Sequence, residues 1–292
     1  MAAFDTTRIV DQVTVKGALP DGYFQEQTIL DIAYDVLLSE ITPLIMFRRE
    51  EYYVKSIDYA ITANQNAYVI PDRAIGMGLR EVKWINSNRN IHLERIDPRY
   101  ADRNDPQWLY KFYLENNNVI LWPTPSTTQD TLRLSYFFRP SKLVPVSECA
   151  TITNINTSTK TVTLGSLPND WSISESFDLI KGKGGYEVID FSLAASTVSS
   201  VSNTITFVAD LPSTLAVGDY VSLAGESCFP YMPQEAQIAL IHGTVVGCLE
   251  SLGDPAVAVS QQKFAEQKAY LERLLSTRIE GQMKSFRTRV LL

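Results

Sequence analysis

The stretch TITNINTSTKTVTLGSLPNDWSISESFDLI, residues 151–180, returns in degenerate form as TVSSVSNTITFVADLPSTLAVGDYVSL, residues 197–223. The two align with a period of about 45 residues: Ile152 with Val198, Ile155 with Val201, Val162 with Ile205, Leu164 with Phe207. Further on, Leu167-Pro168 aligns with Leu211-Pro212, Ile173 with Val217 and Leu179 with Leu223. Each copy reads as a hairpin, a Leu-Pro turn and a third strand, because alternating β-branched and apolar residues are broken by Asn, Gly and Pro. Two such units close into a small barrel or sandwich, which removes or protects their edges. A period seen twice does not make a solenoid. The stretch 150–225 is therefore expected to be an inserted β domain, with Trp171 filling its core.

On either side of the insert the pattern changes. From Thr28, read as an N-cap, Ile29, Ile32, Ala33, Val36, Leu37 and Ile41 recur at helical spacing. Pro43 should kink or restart this helix, since it lacks an N–H and crowds the preceding turn. The following LIMFRREEYY carries it to about Tyr53. DYAIT, AYVIP, LREVKWI, WLYKFYLE, NVILWP and TLRLSYFF then read as strands, and KFYLE-NNN-VILWP as a hairpin whose Asn residues tolerate a left-handed backbone. Residues 71–76 are expected to form one helical turn. After the insert, a helix runs from about Gln234 to Leu252 and stops at Gly253, with apolar residues on more than one face and Gly243 and Gly247 one turn apart for close approach of another helix. A last helix begins near Pro255, with a stripe of Phe264, Leu271, Leu274, Leu275, Ile279, Met283 and Phe286.

The fold class expected is α+β: a helical core from the N- and C-terminal helices, an antiparallel β region, and the small duplicated β barrel or sandwich. Residues 1–27, with Gly17, Pro20 and Gly22 and no helical period, read as an extended arm. The core takes 28–149 and 226–283, and 284–292 form a C-terminal tail.

Catalytic chemistry finds little material. His92 and His242 are the only histidines and neither belongs to an HExxH or Cys/His/Asp pattern. Lys181-Gly-Lys-Gly-Gly185 lacks the Ser or Thr and the following helix of a phosphate loop, and reads as a turn. Asp97, Asp102 and Asp105, interleaved with Arg99 and Arg103, read as a solvated loop rather than a metal site. Glu50 and Glu51 beside Arg48 and Arg49 read as a paired helix face. No cofactor or metal is expected. Cys149, Cys228 and Cys248, odd in number and without CxxC spacing, fit buried thiols in a reducing compartment.

A formal charge of −7 over 292 residues argues against a generic polyanion binder. No stretch is long and apolar enough for a membrane span, and MAAFDTTRIVDQVTV has no secretory h-region. The one local charge signal is KSFRTRVLL beyond Met283, which carries Lys284, Arg287 and Arg289 and no acid. Its apolar residues can anchor in a partner while the cations fix register; alternatively the cations complement a helix macrodipole.

TILDIAYDVLLSEITPLIMFRREEYYV, AYVIPDRAIGMGLREVKWI, FYLENNNVILWPTP, LRLSYFFRPSKLV and LAVGDYVSLAGES together resemble the head-to-tail adaptor (head-completion, tail accessory factor) proteins of tailed bacteriophages. The resemblance spans about Thr28 to Arg289 and implies a non-enzymatic virion protein, assembled in the host cytoplasm. It implies a dodecameric ring of neighbouring copies beneath the portal protein, with a downstream tail or nozzle protein below. Genomic DNA passes through without sequence-specific binding, and no membrane is involved. It also implies that the C-terminal segment grips the portal, a role that falls here on Arg278, Met283, Lys284, Phe286, Arg287, Arg289, Leu291 and Leu292. Two other readings stay open. One is a tail or fibre component binding partners or glycan through the β insert, with Trp171 or Tyr186 exposed; the other is a hydrolase with unrecognised carboxylates.

Overall fold

The computed structural model describes residues 3–20, 22–87, 89–100, 110–126, 128 and 130–276. It opens with a helix, α1 (Thr6–Gly17), where the sequence suggested an extended arm. Asp5 caps it by accepting from the Arg8 amide, and Ala18 ends it in the left-handed region. Ile9 and Val13, one turn apart, are fully buried. The run of β-branched residues hides the helix from propensity, and burial against the C-terminal half of the chain decides the outcome.

The next helix, α2 (Glu26–Val36), starts earlier than Thr28, with Gln25 at the N-cap position and no side-chain cap. It passes into one π turn (Leu37–Ile41) and then α3 (Thr42–Arg48). The Thr42 amide reaches back five residues to the Leu37 carbonyl. The wider turn answers Pro43, which cannot donate and whose ring would crowd the carbonyl four residues before it. The helix stops at Arg48 rather than Tyr53. Tyr52 and Tyr53 leave it to pack against Tyr231, Tyr52 tilted and Tyr53 edge-on, and two bonds hold them there: the Tyr53 hydroxyl donates to the Tyr231 carbonyl, and the Tyr231 hydroxyl to the Tyr52 carbonyl.

Sixteen strands follow among the described residues. The first eight are β1 (Val54–Ala60), β2 (Ala67–Val69), β3 (Ala74–Ile85), β4 (Asn90–His92), β5 (Glu94–Arg95), β6 (Lys111–Glu115), β7 (Asn118–Trp122) and β8 (Thr131–Phe138). They form two four-stranded sheets, β1-β8-β3-β4 and β2-β7-β6-β5, that share one core. The β6–β7 hairpin turns as expected, Asn116 taking φ of 52°. Residues 71–73 make a non-helical turn, and β3 begins at Ala74, so the helical turn expected over 71–76 is absent. A short parallel pair joins β9 (Lys142–Leu143) to β16 (Glu226–Ser227), bringing together the two crossings of the chain into and out of the barrel.

The remaining strands are β10 (Ala150–Asn156), β11 (Thr161–Leu164), β12 (Ser176–Ile180), β13 (Val188–Ser199), β14 (Thr204–Phe207) and β15 (Tyr220–Leu223). They close in the order β10-β11-β14-β13-β12-β15. Exchanging the two copies of the duplication maps this ring of strands onto itself. Equivalent positions pair directly: Val162 with Ile205 on one side, Asp178 with Ser222 on the other. A pseudo-twofold axis therefore runs between the β11–β14 and β12–β15 pairs. Inward residues Ile152, Val162, Leu164, Phe177, Leu179, Ile205, Phe207 and Val221 build a separate apolar core, with Trp171 against Phe177.

Two helices complete the chain, α4 (Gln237–Leu252) and α5 (Val257–Leu275). α4 is buried on several faces and packs against α1, α2 and α5, and Gly253 ends it with φ of 66°. A Cβ on Gly243 would sit 2.5 Å from Val36 Cγ1, and one on Gly247 2.6 Å from Ile32 Cγ2. The two glycines are what let α2 approach. On α5, Leu271 and Leu275 are buried and Phe264 packs at the core's edge, while Leu274 stays exposed; Ile279, Met283 and Phe286 lie outside the described residues.

Candidate interaction surfaces

Pro43 and the π turn shape the surface around them. One cavity of about 420 Å³, mostly apolar, lies between Leu38, Pro43, Met46, Ile75 and Arg139. A second, of about 490 Å³, lies between α3 and α5 and is lined by Pro43, Leu44, Phe47 and Ala269. Phe47 is 75% exposed at its rim, with the Arg48 guanidinium 5.1 Å from its ring centroid. Two ion pairs tie the walls together: Lys268 Nζ to Glu40 Oε2 at 2.9 Å, and Arg48 Nη2 to Glu272 Oε2 at 3.4 Å. An exposed aromatic beside apolar concavities can anchor a partner by contact.

The barrel is held to the core by a polar latch and an aromatic seam. Arg73, in the turn before β3, places Nη1 3.0 Å from Asp178 Oδ2 and Nη2 2.8 Å from Ser141 Oγ, with its guanidinium 4.7 Å from the Phe138 ring centroid. Asp178, on β12, is fully buried and also accepts from the amides of Ser192 and Gly225. Desolvation raises its pKa above the usual aspartate value; Arg73 and the two amides oppose that rise. Lys55 pairs with Glu187 and donates to the Val188 carbonyl. Tyr186 stacks on Phe229 at 4.5 Å, receives a bond from the Phe4 amide, and is buried. Sequence reasoning missed this latch because Arg73 and Asp178 are far apart in the chain and neither sits in a motif.

The residues singled out in the sequence are dispersed. Arg278, Met283, Lys284, Phe286, Arg287, Arg289, Leu291 and Leu292 all lie outside the described residues. His92 Nδ1 lies 2.6 Å from Glu81 Oε1 on an exposed strand. His242, in the middle of α4, has its pKa lowered by desolvation and by Lys16 and Lys263. The Lys181–Gly185 segment is a turn in which the Gly182 amide donates to Asp219. Asp97 pairs locally with Arg99, while Asp102, Arg103 and Asp105 are outside the described residues. Glu51 pairs with Arg80 on β3, and Arg48 with Glu272 on α5, so the expected local pairing on one helix is replaced by longer-range partners. All three cysteines are free and buried. Burial pushes the Cys248 thiol up to about 11, and the neighbouring Cys149 together with burial pushes Cys228 higher still. Among the described residues no three His, Cys, Asp or Glu side chains gather as metal ligands, and no helix is long and apolar enough to cross a membrane. Trp171 and Tyr186, the aromatics that a glycan-binding insert would expose, are both in cores.

This is a molecule built of contact surfaces: a two-sheet and helix core with a barrel fixed to it, the class expected of a structural adaptor. Residues 27–172, half of the chain, match the family model described as SU10 adaptor protein, and the chain belongs to that family, a phage-type adaptor family. The match takes in α2, the π turn, α3, both sheets and the first two strands of the barrel. No curated protein matches the chain.

Proposed function

We propose that the protein is a head-to-tail adaptor of a tailed phage: a ring-forming virion component that sits beneath the portal, extends the DNA channel and offers the tail its attachment site. The observation that carries this reading is the adaptor family match across α2, the π turn, α3 and the two sheets. In this reading the ring is dodecameric, the downstream partner is a tail or nozzle protein, and DNA passes without sequence-specific contact. The net charge of −7 supports it, since a basic channel would bind phosphate strongly. The barrel, as an insertion at 150–225, is carried in fixed orientation by the Arg73–Asp178 latch. The segment from Arg278 to Leu292 grips the portal, its cations steering and its apolar residues anchoring. A subunit whose ring contacts are weak would assemble cooperatively once a portal ring supplies adjacent sites at high effective concentration.

Native mass measurement tests this, on the purified protein alone and mixed with its phage's portal ring, beside a chain truncated after Met283. Saturation near one copy per portal subunit, lost on truncation, is the expected result. Failure of the full-length chain to bind would move the protein to another position in the virion, with the apolar surface around Phe47 as the next contact to test.

A further inference from the structure

Strand β1 ends its sheet, and among the described residues no strand pairs with its outer edge. Its register with β8 runs unbroken from Val54↔Phe137 to Ala60↔Thr131. The phase of that ladder is fixed at both ends, where the Phe138 amide donates to the Tyr53 carbonyl and the Ile61 amide to the Asp130 carbonyl. Antiparallel pairs alternate, so Lys55, Ile57 and Tyr59 spend their backbone groups on β8, while Ser56, Asp58 and Ala60 point theirs outward. Of the devices that guard a free edge, β1 has no proline and no bulge, and its one lysine, Lys55, is drawn onto Glu187 and the Val188 carbonyl of the barrel. Asp58, its one acid, is already neutralised by Arg133, with both bonds at 2.7 Å.

We propose that the β1 edge is a docking site for β1 of a second copy of this chain, joined antiparallel about a twofold axis at Ile57. That register brings Ser56 and Asp58 into fully hydrogen-bonded pairs, made twice, and lets the Ala60 amide donate to the Val54 carbonyl of the other copy, the Val54 amide being already held by the Glu51 carbonyl. The side chains suit it. On the solvent face the Ser56 hydroxyl meets the Asp58 carboxylate of the other copy, and on the core face Lys55 lies beside the Tyr59 ring and Ile57 meets Ile57. No like charges stand opposite each other, as cross-strand stability requires. The two four-stranded sheets would become one of eight. Because the contact is isologous it consumes both edges and cannot propagate. It therefore keeps an unguarded edge from seeding larger aggregates, and it must open before subunits take up a cyclic arrangement.

Sedimentation velocity across a concentration series of the full chain, with hydrogen exchange read at the β1 amides, tests the proposal. Expected are a monomer–dimer equilibrium and protection of the Ser56, Asp58 and Ala60 amides that is lost on dilution to monomer. Ser56→Pro, tolerated where an edge N–H faces solvent, should abolish the dimer and leave the circular dichroism unchanged. A chain monomeric throughout would overturn the proposal, as would a dimer whose three amides exchange fast or a monomer in which they are already protected. The exchange measurement on the natural sequence decides the matter even if the proline variant fails to fold.

Discussion

Gly243 and Gly247 show how single residues set the spacing of whole helices. Both were legible in the sequence, because two glycines one turn apart on an otherwise apolar helix have few other uses. A Cβ at either would collide with Val36 or Ile32, so Gly243→Ala or Gly247→Ala should lose about 1–3 kcal/mol despite the better helix propensity of alanine. Urea unfolding curves would measure this. His242, on the same helix, has a folded pKa below the ordinary 6.5 because burial and two lysines disfavour its charged form. The unfolded chain then holds more protons than the native one just below 6.5. Stability is thus present above that pH and is lost as pH falls toward the folded pKa. His242→Gln should flatten the melting temperature between neutral and mildly acidic pH, and an unchanged profile would assign that dependence to other groups.

At the scale of elements, what could be read ahead depended on whether neighbours in sequence or neighbours in space decide the structure. The barrel strands were legible because alternate residues face one core and the pattern occurs twice; the β6–β7 hairpin was legible because its asparagines fit a left-handed turn. Helix α1 was not, since Ile9, Val10, Val13 and Val15 favour a strand locally and the helix exists for the burial of Ile9 and Val13. The early end of α3 was hidden too, because the exit of Tyr52 and Tyr53 depends on Tyr231, which lies far along the chain. Of the interaction surfaces, Pro43 announced a kink but not the cavities beside it, and nothing near Arg73 announced Asp178. If packing rather than propensity holds α1, Ile9→Ala should cost about 2–5 kcal/mol. A helix-favouring change at exposed Val15, to alanine, should stabilise slightly; equilibrium denaturation of the two variants would separate the effects.

For the whole molecule, the latch and the aromatic seam make core and barrel one cooperative body. Calorimetry should show a single unfolding transition. Arg73→Met leaves Asp178 buried without its cation, which should cost about 3–5 kcal/mol and split the transition in two as the barrel uncouples. The Asp178 pKa, already raised, would climb further. Between its unfolded value and that higher folded pKa the native state holds the extra proton, so the variant should gain stability as pH is lowered through this window. The Asp178 position also says something about descent. Asp178 and Ser222 are equivalent across the pseudo-twofold axis and pair with each other, yet only one copy carries the acid that meets Arg73. Neither half closes a barrel by itself, because each supplies strands between those of the other. The interleaving is what doubling a three-strand unit leaves in one chain, with the acid present only in the copy that has Arg73 beside it.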